Sequence, residues 1–195
     1  ENGFRNLTNS VRPIRTPEDM VGLKMRTMES PVYMRFMEAL GASATPISAA
    51  EMILALGQGV VDGQENATPI VHDFGIADVQ KYMSINEHIF GLHAVMINDA
   101  FYMSLPEEQR AIIADGARLY RDWSNARKAA LHQEYVQKIR DKGLEVHVTT
   151  AAEKEAFKEA TQGPVMEYIV EQVGQELVDD LLAAVEDSKR LVRGY

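Results

Sequence analysis

The chain contains 195 residues, of which 46% are hydrophobic and 25% charged, and it has no cysteine. These proportions are typical of a globular protein of one large or two small domains, and they exclude a disordered tail, a collagen-like repeat and a disulfide scaffold. The 20 Lys and Arg residues against 29 Asp and Glu residues give a formal charge of −9. Because a field of that sign repels the phosphates of nucleic acids and anionic lipids, we expect no nucleic-acid partner and no membrane-surface role.

The first half of the sequence alternates short strand-like runs with capped helical segments, an order that favours an α/β layer structure. The helix starts are predicted from Ser or Thr caps with Pro or acidic residues in the first turn, and the stops from glycines. In chain order the predicted elements are a capped turn at 16–22, a strand at 23–28, a helix at 30–41, a helix at 48–57, a strand end at 60–61 followed by a polar loop at 62–66, and strands at 82–85 and 92–98.

A long helical pattern dominates the second half. Its apolar positions keep a helical period from Ile112 to Ile139, and Lys142 with Gly143 forms a C-terminal stop, so the pattern predicts a helix over 107–142. Such a helix is on the order of 55 Å long and exceeds the width of a small domain. It is either a strut that joins two bodies or part of a helical hairpin on one domain. The elements predicted after it are a strand at 144–148, a helix from 150 that breaks at Gly163-Pro164, and two further amphipathic helical pieces.

Arg26 is the first candidate for a binding residue. It is predicted to lie near the carboxyl end of the strand at 23–28, four residues before the helix start at Ser30. Ligands of open α/β sheets bind at the carboxyl ends of the strands, where a guanidinium group matches a carboxylate or phosphate with two parallel hydrogen bonds. The alternative is a surface arginine that pairs with Glu29 or Glu38.

The polar run after Val61 forms a second candidate site. It follows a predicted strand end, where a polar loop is able to hydrogen-bond a small ligand, and its candidate residues are Asp62, Gln64, Glu65 and Asn66. The amide of Asn66 offers both a donor and an acceptor. The alternative is a plain turn held by Gly63, and spacing alone favours that simpler interpretation.

No pattern in the sequence indicates a catalytic or metal centre. It contains no His-Glu-x-x-His motif, nucleophile elbow, phosphate-binding loop or dinucleotide fingerprint, so we predict no metal and no cofactor. Asp62, Glu65, His72 and His88 are the groups that an enzyme would use for acid–base chemistry, but no spacing places a base beside a nucleophile. The aromatic residues at helical spacing, Trp123 among them, are predicted to belong to the core.

Several longer motifs occur in a fixed order over the first 110 residues. They are ENGFR at 1–5, NSVRPI at 9–14, TPED at 16–19, GLKMR at 22–26, ALGA at 39–42, GVVDGQEN at 59–66, VQKY at 79–82 and LPEEQ at 105–109. In these motifs the sequence resembles the substrate-binding proteins of TRAP transporters, the DctP-type family. His88 continues the match, and the later helices resemble the family in pattern more than in residues. The resemblance covers the whole chain and maps it onto the C-terminal two-thirds of such a receptor.

The resemblance implies a periplasmic receptor without enzymatic activity, built from two α/β lobes with a long helix spanning both. The expected α/β fold is like that of periplasmic binding proteins, with the N-terminal lobe largely missing. Its predicted parts are a ligand-binding lobe with hinge strands at 1–100, a spanning helix at 101–143, and a strand and helices that return to the other lobe at 144–195. Its precursor is expected to carry a signal peptide, and the chain that begins at Glu1 to be processed or truncated.

The resemblance also implies a binding site for a small organic acid and a partner, the TRAP membrane permease subunits. The family's carboxylate-binding arginine falls on Arg26, and the asparagine that helps to orient the carboxylate falls on Asn66. A second arginine that contacts ligand in some members falls on Arg5. Gln64 and Glu65 complete the predicted set of substrate-binding residues.

Parts of this prediction stay open. Relatives often place a stacking aromatic residue where this chain has Ala49, so the sequence names no particular acid. Without the N-terminal lobe, apolar faces need another cover, and we expect self-association by exchange of elements between copies. The remaining alternatives are an α/β enzyme that acts on a small carboxylic acid through Asp62, Glu65 or His72, and a receptor that recruits an ion with the solute through loop carboxylates.

Overall fold

The computed structural model of the chain is described over residues 2–193, apart from the side chains at 129, 130, 132 and 191–193. Glu1 and the last two residues of the predicted segment 144–195 lie outside the described residues. One sheet holds six strands: β1 (Gly3–Asn9), β2 (Lys24–Thr27), β3 (Ser43–Pro46), β4 (Gly63–Ala67), β5 (Tyr82–Gly91) and β6 (Glu145–Val148).

The sheet has the order β3-β2-β4-β1-β5-β6, and the direction of β1 sets it apart. The strand β2 runs parallel to β3 and β4, and β5 runs parallel to β6, whereas β1 is antiparallel to both of its neighbours, β4 and β5. The carboxyl ends of the five parallel strands therefore meet at one edge, and β1 begins at that same edge.

Helices cover both faces of the sheet. Their bounds are α1 (Pro31–Ala39), α2 (Ala49–Gly57), α3 (Thr68–Asp73), α4 (Asp99–Ser104), α5 (Glu107–Asp141), α6 (Ala151–Val173) and α7 (Gln175–Arg193), with short 3-10 helices at Pro17–Met20 and Ile76–Asp78. On one face, α1 and α6 pack over a core that includes Leu7, Met25, Phe36 and Phe157. On the other face, α2, α3 and the last turns of α5 pack over a core that includes Met52, Val71, Met83 and Ile139.

Most of the predicted elements are present at the predicted places. The capped turn, the helices α1 and α2, the strands β2 and β6 and the long helix α5 all agree with the patterns that predicted them. Thr150 caps α6 as expected, since its hydroxyl accepts a hydrogen bond from the Glu153 backbone N–H at 3.3 Å and Glu153 Oε2 accepts one from the Thr150 N–H at 2.6 Å.

Residues 63–66 of the polar run belong to a strand, so both the predicted loop and the alternative of a plain turn are wrong. Residues Gly63–Ala67 form β4, a central strand in which every residue is buried. Gly63 is required there, because a Cβ atom at this position would lie 2.2 Å from the backbone oxygen of Thr8 on β1. The polar residues of this strand predicted a solvent-exposed loop, but their side chains form hydrogen bonds inside the protein.

Two other local predictions are wrong. Residues 92–98 form neither a strand nor a helix, although they are apolar; instead β5 extends to Gly91 because its second half pairs with the start of β1. The helix α6 continues through Gly163-Pro164. Both of these residues are exposed, and packing of Phe157 and Thr161 against the core keeps the helix in place on the side away from the proline.

The long helix α5 contacts the rest of the described structure mainly at its C-terminal end. Val136 and Ile139 are buried in the core, whereas Ile112, Leu119 and Trp123 are 65%, 72% and 62% exposed. The prediction that Trp123 lies in the core is therefore wrong for the described residues. Within residues 2–193, no helix is both long enough and apolar enough to cross a membrane.

Candidate functional site

Two of the predicted binding residues lie at the edge where the parallel strands end. Arg26 is the third residue of the four-residue strand β2, and Asn66 is the fourth of five residues in β4. The antiparallel strand β1 places Arg5 beside Ala67 in this same region. The sheet thus brings together three residues that are separated in the sequence by up to 61 positions, as expected for a ligand site of an open α/β sheet.

Arg26 is buried, at 3% exposure, without a carboxylate partner. Its Nε donates a hydrogen bond to the carbonyl oxygen of Ile47 at 2.7 Å, just beyond the end of β3. Among residues 2–193, no other hydrogen bond and no ion pair forms on its guanidinium group. Burial lowers the pKa of Arg26, and the nearby charge of Glu65 opposes that shift. An arginine keeps its charge in proteins, so the site holds a largely buried positive charge whose terminal N–H groups form no hydrogen bond with a described residue.

Arg5, in contrast, is paired with a carboxylate of the protein. Its Nε donates to Glu65 Oε2, and its Nη2 donates to Glu65 Oε1 at 2.7 Å and to the Glu65 carbonyl oxygen at 2.9 Å. Burial raises the pKa of Glu65, but the nearby His88 ring and the hydrogen bonds and positive charge of Arg5 outweigh it, so the net shift is downward. Burial likewise lowers the pKa of Arg5, whereas the hydrogen bond to Glu65 raises it above its ordinary value. Glu65 is therefore a buried carboxylate.

His88 lies on the other side of the same carboxylate. Its Nε2 is 3.5 Å from Glu65 Oε2, and its side chain is 2% exposed. The ring stacks on Phe36 with the centroids 4.6 Å apart, and Nδ1 lies 2.8 Å from Asn86 Oδ1. Sequence reasoning did not find this arrangement, because the register of β5 against β1 brings His88 close to Glu65 and no spacing in the sequence encodes that register.

Gln64 and Asn66 form a small amide network beside Arg26. Gln64 Nε2 donates to Thr8 Oγ1 at 2.8 Å, and Asn66 Nδ2 donates to Gln64 Oε1 at 3.2 Å. Gln64 is fully buried, whereas Asn66 is 8% exposed. Arg26 lies directly beside Gln64 in the register of β2 against β4. The network therefore stabilises β4, which lies between β2 and β1.

Of the candidate acid–base groups, the structure brings only Glu65 and His88 together within the described residues, and it places Asp62 and His72 elsewhere. Asp62 precedes the amino end of β4, where its Oδ2 accepts a hydrogen bond from the Lys24 backbone N–H at 2.8 Å. His72 lies on α3, with Nδ1 2.8 Å from Asp73 Oδ1. Glu65 is buried and occupied by Arg5. Within the described part of the chain, no group of three or more His, Asp or Glu side chains is arranged to hold a metal ion.

Comparison with known proteins identifies relatives over nearly the whole chain. The model of the bacterial extracellular solute-binding protein, family 7, matches residues 1–172. A solute-binding protein of Verminephrobacter eiseniae is 33% identical over 184 residues, which make up 94% of this chain and 54% of that protein. The 2,3-diketo-L-gulonate-binding periplasmic protein of Escherichia coli is 32% identical over 188 residues, or 96% of this chain and 56% of its own length.

Solved structures agree in fold. The sugar acid binding protein of Advenella mimigardefordensis, in complex with galactonate, superposes with a TM-score of 0.90 at 26% identity, covering 96% of this chain and 60% of that one. A TRAP periplasmic solute binding protein from Ralstonia eutropha, with bound (S)-2-acetolactate, gives a TM-score of 0.88 at 29% identity, covering 96% and 61%. The chain spans about half the length of the curated relatives it matches.

The fold and these relatives place the chain among bacterial solute-binding proteins. The chain belongs to the bacterial extracellular solute-binding proteins, family 7. Membership confirms the predicted family, the α/β fold of periplasmic binding proteins and the periplasmic location, since relatives are named periplasmic binding proteins. It leaves the individual site residues to be tested.

Proposed function

We propose that this protein is the extracytoplasmic receptor of a TRAP transporter and binds a small organic acid through its carboxylate at Arg26 and Asn66. The observation that carries this proposal is the buried guanidinium of Arg26, which has no carboxylate partner among the described residues. Only one of its five N–H donors is hydrogen-bonded to a described residue, and a buried charge with so few partners is costly unless a ligand completes them. A planar carboxylate does so with two charge-assisted hydrogen bonds.

Asn66 fits the role of a second contact to the ligand. Because its Nδ2 donates to Gln64, its amide has a fixed orientation, and its small exposed fraction lies at the open edge of the sheet. Gln64 and Glu65 are completely buried, with their polar atoms held by Thr8, Asn66 and Arg5. We therefore assign these two residues to holding Asn66 and Arg5 in place rather than to direct contact with the solute.

The lobe organisation stays a proposal. The predicted lobe at 1–100 contributes five of the strands, but β6 and α6, from the predicted segment 144–195, belong to the same sheet and helix layer. The helix α5, from the predicted segment 101–143, is anchored at its C-terminal end, and its first half extends away from both cores. This arrangement suits a strut toward a second lobe that closes over Arg26. The closed form would then deliver the acid to the membrane permease subunits.

The relatives support an organic acid as the solute class. The names of three relatives specify 2,3-diketo-L-gulonate, galactonate and acetolactate, and each of these compounds carries one carboxylate group. What the relatives do not share is the rest of the molecule. We accordingly propose carboxylate recognition for this chain and leave the remainder of the solute to the surroundings of Arg26.

Calorimetric titration of the native-length protein with a panel of small carboxylates tests the proposal. We expect Arg26→Ala to lower the affinity for the bound acid by about 2–5 kcal/mol, because the ligand carboxylate then lies buried without its partner. Arg118→Ala is the matched control, since Arg118 is an exposed arginine paired with Asp115 on α5. Equal affinities for the wild type and Arg26→Ala would overturn the site.

The apolar surface of residues 92–123 supports a second proposal, the self-association of the chain 1–195. Leu92, Met96, Leu119 and Trp123 are between 62% and 86% exposed, which is unusual for such side chains on a monomer. We propose that a second copy covers them. Sedimentation velocity should detect dimers that dissociate when Leu119→Ser and Trp123→Ser are combined, while Leu54→Ser on α2 leaves them intact. A monomer at all concentrations contradicts the proposal.

A further inference from the structure

A fully buried asparagine lies beside Asn66. Asn6 in β1 is the partner of Asn66 in the register of β1 against β4, and it is 0% exposed. Partners in an antiparallel pair of strands place their side chains next to each other on the same face of the sheet. The contacts that fix Asn6 therefore bear on the residue proposed to orient the acid.

The side chain of Asn6 connects three segments of the chain. Its Nδ2 donates hydrogen bonds to the carbonyl oxygen of Phe4 at 3.1 Å and to Thr68 Oγ1 at 3.0 Å. Its Oδ1 accepts a hydrogen bond from the backbone N–H of Glu87 at 3.1 Å. Thr68 is the first residue of α3, directly after β4, and Glu87 belongs to β5. Loss of the Asn6 side chain would leave polar groups of all three segments without their partner.

The bond to Glu87 closes a wide bulge in β5. The register of β1 against β5 shifts between Arg5 and Leu7, so that Asn6 alone lies opposite residues 85–88. Glu87 has a φ angle of 51°, and among the described residues it is the one non-glycine residue in the left-handed region. A residue with a side chain keeps this conformation where its surroundings impose it, and bulges next to active sites redirect side chains.

The bulge directs His88 toward the ion pair of Arg5 and Glu65. His88 follows Glu87 directly, and its Nε2 lies 3.5 Å from Glu65 Oε2. If the pairing of the two strands continued without the bulge, His88 would lie opposite Gly3, near the start of β1 and away from Glu65. The position of the His88 ring therefore depends on the conformation of Glu87, which Asn6 holds.

We propose that Asn6 is a positioning residue for the carboxylate site. It keeps Glu87 in the left-handed conformation, and the resulting bulge holds His88 against Glu65 on one face of the sheet. Its bond to the start of α3 holds the end of β4, with Asn66, on the other face. Because each polar atom of Asn6 has a partner inside the protein, the residue acts through these contacts and does not touch the solute. The proposal rests on the proposed function, since the site that Asn6 organises is the one assigned to the acid.

Two substitutions at Glu87 test the bulge without changing Asn6. Glu87→Gly and Glu87→Val both remove the carboxylate that pairs with Lys154. They differ in the backbone, because glycine adopts the left-handed conformation freely and a β-branched residue resists it. The native-length protein is titrated in a calorimeter with succinate, D-galactonate and D-glucuronate, and the tightest of these probes is used throughout. We expect Glu87→Gly to bind it within about threefold of the wild type, and Glu87→Val to bind it about tenfold more weakly.

Asn6→Ala tests the hydrogen bonds themselves. We expect the affinity for the same probe to fall about tenfold, because the bulge loses the acceptor that holds it. Glu87→Gly in the same chain should regain about threefold of that loss, since glycine needs no help to keep the left-handed conformation. Glu87→Val combined with Asn6→Ala should regain nothing.

NMR spectra of the native-length protein with labelled histidine follow the position of His88. Its ring stacks on Phe36 with the planes 16° apart, so its ring protons are expected upfield of those of the exposed His93. His88→Gln assigns these signals by their disappearance. The upfield shift should persist in Glu87→Gly and be lost in Glu87→Val and Asn6→Ala, whereas a substitution that only lowers stability leaves it in place. Thermal unfolding of each variant confirms that it is folded before the comparison.

The outcomes separate the two proposals. If Glu87→Gly and Glu87→Val behave alike, if Glu87→Gly gives no recovery in Asn6→Ala, or if only one of the two readouts changes, the role of Asn6 is overturned. The carboxylate site then stands as long as Arg26→Ala loses the acid. If Arg26→Ala binds the probe as tightly as the wild type, or no small carboxylate binds at all, the proposed function fails and the role of Asn6 in binding fails with it.

Discussion

Arg5 and Glu65 form a buried ion pair that joins β1 to β4, in which Arg5 Nη2 lies 2.7 Å from Glu65 Oε1 and 2.9 Å from the Glu65 carbonyl oxygen. The strand β1 is antiparallel to the other five strands, and the ion pair holds it beside β4 at the centre of the sheet. It also explains why two neighbouring arginines differ. Arg5 has its anion within the protein, whereas Arg26 has no carboxylate partner among the described residues.

Breaking this pair should destabilise the protein strongly. We expect Glu65→Gln to lower the free energy of unfolding by about 3–5 kcal/mol, because it leaves the buried guanidinium of Arg5 without its counter-charge. Urea denaturation followed by circular dichroism measures the loss. Glu155→Gln, which removes an exposed partner of Lys158, should leave the free energy of unfolding nearly unchanged. A small effect at Glu65 would mean that the pair is not buried in solution.

The same carboxylate should make stability depend on acid pH. Its folded pKa is lowered below the ordinary value of 4.5, so the unfolded chain takes up a proton more readily than the folded protein. The stabilisation by Glu65 is thus complete above about pH 4.5 and is lost as the pH falls through the folded pKa. The free energy of unfolding, measured by denaturation at a series of pH values from 7 downward, should fall less steeply for Glu65→Gln than for the wild type. Parallel declines would contradict the assignment.

Gly63 should tolerate no side chain. A Cβ atom at this position would meet the Thr8 backbone oxygen at 2.2 Å and the Asn9 Cβ at 2.7 Å, so Gly63→Ala must push β1 away from β4. We expect a loss of about 3 kcal/mol or more in the free energy of unfolding. Gly116→Ala is the matched control, because open space surrounds Gly116 in α5 and alanine favours a helix, so stability should rise by about 0.5–1 kcal/mol.

The order of the elements could be predicted from the sequence because local chemistry determines it. Caps such as Thr150 with Glu153, the strand alternation around Met25 and the helical period of α5 depend on near neighbours alone. The strand β4 could not be predicted in this way. Its burial depends on Thr8, Arg5 and Arg26, which meet it only after the sheet forms, so the run Gln64–Asn66 resembled a solvent-exposed loop.

The candidate site shows the same division. Arg26 could be placed by its position near a strand end, before a helix, and this required only local patterns. The pairing of Arg5 with Glu65, the approach of His88 and the burial of Gln64 depend on strand register, which no spacing in one sequence encodes. For that reason the sequence does not predict the ion pair between Glu65 and Arg5.

A negative charge introduced at Asn66 should weaken acid binding. Asn66→Asp places a carboxylate beside the site proposed for the ligand carboxylate, and like charges at such a distance cost several kcal/mol, so affinity should fall on the order of 100-fold or more. Gln58→Glu adds the same charge at an exposed position after α2 and should change affinity little. Calorimetry at fixed ionic strength compares the two. Equal losses of affinity in the two variants would mean that Asn66→Asp acts through the overall charge of the protein and not through a contact with the ligand.

The central claim is that Arg26 holds the carboxylate of an organic acid. Native mass spectrometry of the native-length protein, as purified and after addition of small carboxylates, tests it most directly. We predict a mass shift equal to one acid on the wild type and on Arg118→Ala, and no shift on Arg26→Ala at the same acid concentration. An acid retained equally by all three proteins, or by none of them, would contradict the account.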